Sequence, residues 1–163
     1  DMARWLILWS SLSAALAVGL GAFGAHALRD RLPQIHPPEQ VARMEANWET
    51  AARYHLVHAI GALVATLVLH QVHSNEWRNS VATSRGVAVD GNPKSTAPSR
   101  RFWLPVYCLL LGPVIFSGCL YAMVLGAPKI LGAIVPIGGA LMIAGWVSLA
   151  IVSFVTSPRS PSC

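Results

Sequence analysis

The sequence predicts an all-α integral membrane protein, a four-helix antiparallel bundle whose second helix is extended by an amphipathic segment outside the bilayer. Three observations predict it. Hydrophobic residues fill 54% of the 163 positions and charged residues only 12%, about half the roughly 25% of a soluble domain. The charges are segregated, because residues 5–28, 54–75, 102–128 and 130–158 contain no Asp, Glu, Lys or Arg. Each stretch reaches the roughly 20 residues that a helix needs to cross the hydrocarbon layer. Polar residues, Pro and Gly collect between the stretches, so the chain is expected to reverse there and to form one membrane domain over 1–163.

The first span is expected over about 5–28. Trp5 and Trp9 suit a headgroup-level anchor at its start, because an indole is apolar in body and polar at one edge. The signal-peptide reading of Arg4 and the small residues around His26 is weaker, since the apolar run exceeds the usual 7–15 residues of such a leader. Gly21 and Ala25 form a small-xxx-small pair that lets another helix come close. Pro33, Pro37 and Pro38 are expected to keep the following connection from being helical.

A second helix is expected from Pro38, with Glu39/Arg43 and Glu49/Arg53 spaced i,i+4 for ion pairing. Val41, Met44, Trp48, Ala51, His55, His58, Ala62 and Ala65 recur at alternating spacings of three and four, the period of a helix-packing seam. The span itself is placed at 54–72. Residues 74–101 are polar and without apolar period, so they read as an extramembrane loop.

The third span is expected over 102–125, bent or interrupted near Gly112-Pro113, with Gly118, Ala122 and Gly126 at four-residue spacing as a packing face. After a short turn at 126–129 the fourth span covers 130–155, with Gly138, Gly139 and Gly145 as further packing residues. A polar tail ends the chain. Basic residues number seven on the side of the two termini and the 74–101 loop against five on the other, which favours both termini inside.

The net charge of +5 comes from basic residues scattered without a basic run. It fits contact with anionic lipid headgroups rather than nucleic acid. Cys108 and Cys119 are eleven residues apart on one helix, too far to pair, and the three cysteines have no metal-ligand spacing.

Antiparallel threading brings the end of the first span, the start of the second, the end of the third and the start of the fourth to one membrane face. His26, Trp48, Tyr54, His55, His58, Ser117 and Tyr121 gather there as a candidate polar cluster. An ionisable group within a span is a functional candidate. The plainer reading is that neutral histidines hydrogen-bond across helices, with Ser117, Tyr121 or a carbonyl freed by Pro136 as expected partners of His55 or His58. A metal or haem site on His26, His55 and His58 lacks a matching carboxylate or thiolate. The sequence therefore assigns no metal, no cofactor and no catalytic residue, there being no nucleophile with an adjacent base and no phosphate-binding loop.

Four ordered motifs carry a resemblance: Gly21-Ala22-Phe23-Gly24-Ala25-His26, Trp48 to Ala59, Phe116-Ser117-Gly118-Cys119-Leu120-Tyr121, and Pro136-Ile137-Gly138-Gly139 with Gly145-Trp146. The chain resembles the small membrane proteins of the domain of unknown function 423 family, which are transmembrane protein 256-like. The resemblance implies a four-span protein of bacterial inner membranes or mitochondria with no established activity. Two departures stand out, Cys119 where the pattern has serine and Val135 where it has threonine, and both remove a hydroxyl. The function expected is a non-catalytic accessory or assembly subunit of a larger membrane complex; the alternative is a small carrier or proton-conducting protein that uses the intramembrane histidines.

Overall fold

The computed structural model describes residues 2–86 and 100–155. Helix α1 (Met2–Phe23) passes through a π-helical turn (Gly24–Leu28) into α2 (Arg29–Ile35), and α3 (Pro38–Gly86) follows. A 3-10 turn (Arg100–Trp103) leads into α4 (Leu104–Val124), and a second (Lys129–Ala133) leads into α5 (Val135–Val155). No strand occurs among the described residues. Four helical segments, Met2–Ile35, Pro38–Ser74, Leu104–Val124 and Lys129–Phe154, are long and apolar enough to cross a membrane. The predicted all-α, four-span class is the one observed.

The helices pack in series, α1 on α3, α3 on α4 and α4 on α5. In their most apolar windows α3 and α4 bury 39% and 33% of residues, against 17% for the first and last segments. The inner pair is therefore α3 and α4, with α1 and α5 flanking it. Two core clusters show the antiparallel threading. At one end Ala3 and Leu6 of α1 meet Ala62, Ala65 and Leu69 of α3 and Val106 and Leu109 of α4. At the other end Leu28 and Leu32 meet Met44, Trp48 and Ala51 of α3 and Leu120, Tyr121 and Val124 of α4.

Several local expectations are corrected. The segment after Arg31 is helical to Ile35 with Pro33 inside it. Proline there forfeits one amide bond and crowds the carbonyl of Arg29, but Arg29 is exposed, so solvent or headgroups can serve that carbonyl. The reversal falls at His36, which is extended at φ −124° and ψ 149°, as the residue before a proline prefers. Helix α4 runs through Gly112-Pro113 without interruption. Residues 130–133 are 3-10 rather than α-helical.

Helix α3 extends to Gly86, so the first half of the expected 74–101 loop is helical. Residues 74–85 contain neither Pro nor Gly to break the helix, and the lack of an apolar period does not by itself exclude one. Residues 87–99, including Lys94, and the tail with Arg159 and Cys163 lie outside the described residues. The ion pair given by the described residues joins Arg29 of α2 to Glu45 of α3 at 2.6 Å, rather than following the i,i+4 spacings.

The glycines divide into two groups. A Cβ on Gly138 would lie 2.5 Å from the Phe116 amide nitrogen and 2.8 Å from the Gly112 carbonyl oxygen, so α4 and α5 cross backbone to backbone. Gly145 lies against Leu109 and Cys108, and Gly139 has only ordinary contact with Phe116. Gly21 and Gly118, by contrast, have nothing within 4 Å of an added Cβ, and Ala25 is exposed while Ala122 is half-buried. Gly126 is a cap rather than a packing residue. Its φ of +98°, with Gly126 N–H donating to Met123 O and Ala127 N–H to Ala122 O, forms the paired closure that ends many helices and favours glycine.

Candidate functional site

His55 lies midway along Pro38–Ser74 and is buried, 7% exposed. Its Nε2 is 3.0 Å from Ser13 Oγ in the middle of α1. The partner is thus on the first helix and is neither Ser117, Tyr121 nor a carbonyl at Pro136. Ser117 instead donates to the Ala51 carbonyl at 2.8 Å, tying α4 to α3 one turn from His55. His58 is also buried but turns toward α5. Its Nδ1 lies 2.7 Å from the carbonyl of Tyr54 on its own helix, and its ring meets Trp146 edge-on at 6.1 Å. The two histidines serve different interfaces because a three-residue step on a helix rotates the side chain by about 60°.

The other members of the expected cluster separate in the same way. Tyr54 is 43% exposed, its ring stacked on His58 at 5.8 Å and tilted against Phe116 at 5.0 Å. His26 is exposed on the π-helical turn and takes no part in the cluster. Trp48 and Tyr121 do converge, with ring centroids 4.6 Å apart, and His55 lies 6.3 Å from Tyr121. The Trp48 indole N–H donates to the Leu20 carbonyl at 2.9 Å. Its ring occupies the space that a side chain at Gly24 would need. The buried core of the site is therefore Trp48, His55, Ser117 and Tyr121, with the half-buried Ser13 beside His55.

Three of the contributing residues escaped the sequence reading. Ser13 was legible in principle, as a hydroxyl inside an apolar span on a run that also holds Ser10 and Ser11. His36 carried no signal; it lies 2.8 Å from the Val124 carbonyl, one of the carbonyls left without an intrahelical partner at the end of α4. Gly24 lay inside a quoted motif but was not singled out; what matters there is the absence of a side chain.

Above His55 a groove runs between α1 and α4, with a volume of about 590 Å³. Leu12, Leu16, Leu110, Leu111 and Val114 supply apolar walls, and Ser13, His55 and Tyr121 supply the polar atoms. Two of these atoms, His55 Nδ1 and the Tyr121 hydroxyl, are buried without a hydrogen-bond partner. Among the described residues no three His, Cys, Asp or Glu side chains are placed to hold a metal ion.

The model of a family described as Protein of unknown function (DUF423) matches residues 20–139. The chain belongs to the DUF423 family. The matched range contains Gly24, Trp48, His55, Tyr121 and Gly138, and it begins after Ser13. A UPF0382 membrane protein of Staphylococcus epidermidis is 37% identical, the alignment covering 90% of this chain and 93% of that protein. The UPF0382 membrane protein YwdK of Bacillus subtilis is 32% identical over 90% of this chain and 94% of its own length. A UPF0382 membrane protein of Schizosaccharomyces pombe is 27% identical over 90% and 100%. No solved structure matches. This DUF423 chain is accordingly a membrane protein in a family whose described role is unknown, and the reading of its task rests on its own geometry.

Proposed function

We propose that the chain is a non-catalytic accessory or assembly subunit of a larger membrane complex, in a bacterial inner membrane or a mitochondrial membrane, with both termini inside. The observation that supports this reading is the state of the glycines on α1. Gly19 and Gly21 have open space where a side chain would stand, on a flanking helix that is buried mainly against α3. Lipid chains cover an apolar face whatever its residues, whereas small residues let another helix backbone approach closely. Gly118 is open too, but it lines the groove described above and has a use of its own. The alternative, conduction by the histidines, has less support, because His26 is exposed and remote from the cluster and His55 is bordered by leucines.

Extraction in mild detergent followed by native mass measurement tests the proposal. A particle heavier than one chain, whose extra mass is lost in Gly19→Leu or Gly21→Leu, is the expected result. A strictly monomeric particle with no co-purifying protein refutes it. Proton flux in liposomes that disappears in a His55→Ala, His58→Ala double variant would favour the alternative.

A further inference from the structure

We infer that the groove between α1 and α4 binds an uncharged lipid with a carbonyl-bearing head and a long apolar chain, the chemistry of an isoprenoid quinone. Its volume of about 590 Å³ falls within the roughly 300–1,000 Å³ of small-molecule sites. It runs from Leu6 to Leu20 on α1 and from Tyr107 to Tyr121 on α4, a length of about 21 Å at 1.5 Å per residue. Trp9, Leu16 and Val114 at its rim are exposed by about 60%, so the groove is accessible from the lipid side.

The polar atoms decide the class of occupant. His55 and Tyr121 are 7% and 9% exposed, both line the groove, and His55 Nδ1 and the Tyr121 hydroxyl have no partner. The 3.0 Å contact between Ser13 Oγ and His55 Nε2 leaves Nδ1 as the unpartnered ring nitrogen, a donor or an acceptor according to the tautomer. The phenol O–H is a donor in either case, and an occupant that satisfies it must bring an acceptor oxygen. A second helix would offer only carbonyls that already accept within their own ladder, as the Ala51 carbonyl does when it also takes Ser117, so a free carbonyl oxygen is the stronger acceptor. A phosphate headgroup or a carboxylate is costly beside Ser13, midway along α1. A neutral ring with carbonyl oxygens and an extended hydrocarbon tail meets both the depth and the donor.

Binding does not depend on the chain being a subunit of a complex, so the two proposals fail separately. The test uses the full chain in lipid nanodiscs, with decylubiquinone as probe and quenching of tryptophan fluorescence as readout, Trp9 lining the groove. Saturable quenching is expected. Tyr121→Phe should weaken it on the order of five-fold, the effect of one lost hydrogen bond. Gly118→Leu should weaken it more, on the order of ten-fold or beyond, by filling the groove. An added Cβ at Gly118 meets nothing within 4 Å, and an unchanged melting curve verifies that the longer leucine also leaves the helix packing intact. Decylbenzene, which has the chain and a ring but no carbonyl, and oleic acid, which carries a charge, should displace the probe poorly. Equal quenching in wild type and Gly118→Leu would mean simple partition into the bilayer and overturn the inference. So would displacement of the probe by equimolar decylbenzene or oleate, because the polar atoms would then recognise nothing.

Discussion

Replacing Gly138 by alanine is expected to destabilise the protein by about 3 kcal/mol, whereas the same change at Gly118 should be neutral or stabilising. The new Cβ at 138 would sit 2.5 Å from the Phe116 nitrogen and 2.8 Å from the Gly112 oxygen. Both are backbone atoms of α4, so no side chain can rotate away. Ordinary contact begins near 3.4 Å, which requires α5 to retreat by about 0.9 Å. A gap of that size forfeits a quarter to a half of each atomic contact of about 0.1–0.2 kcal/mol. Across the roughly 50 atom pairs that a well-packed side chain alone supplies, the loss spans about 1–5 kcal/mol and is about 3 kcal/mol at mid-range, close to the roughly 1–3 kcal/mol of overpacking penalties. The retreat also loosens Gly112 against Met142 and Gly145 against Leu109. At Gly61 the obstacle is the Trp146 ring at 2.9 Å, which can tilt, so alanine there should fall between the two. Thermal or denaturant unfolding of the three variants in one mild detergent, followed by tryptophan fluorescence, measures the order. Gly138→Ala as stable as wild type, or Gly118→Ala as damaging as Gly138→Ala, would refute the backbone crossing.

Tyr121→Phe should leave the ligand-free protein as stable as before or more so by about 1 kcal/mol, because the hydroxyl it removes is buried and unpaired; a loss above that size in an unfolding titration would show that the hydroxyl is satisfied. Trp48→Phe gives up the 2.9 Å bond to the Leu20 carbonyl and part of a ring that touches Phe23 and Tyr121, so a loss of about 2–4 kcal/mol is expected, read by the same titration. Arg29→Ala breaks the Arg29–Glu45 pair, whose arginine is 65% exposed. Its effect should stay below about 1 kcal/mol and shrink further in salt.

The charge-free stretches alone settled that the chain is helical and crosses a membrane, because hydrocarbon leaves an isolated segment no other way to satisfy its backbone. The three-and-four spacing from Val41 to Ala65 correctly placed His55 and His58 on buried faces of α3, and four quoted motifs pointed to the family. Which neighbour each face meets was not legible. A helical period fixes the direction of a side chain about its own axis, but not which of two flanking helices lies there. Thus His55 turned to Ser13 while His58 turned to Trp146, and Tyr54 and His26 left the cluster. Glycine spacing was similarly ambiguous, since GxxxG describes a surface and not its partner: Gly138 and Gly145 are crossed by α4, Gly126 caps a helix, and Gly21 and Gly118 face open space. The groove above His55 depends on α1 and α4 both leaning on α3 without closing on one another. That relation among three helices distant in sequence exists only once they are packed.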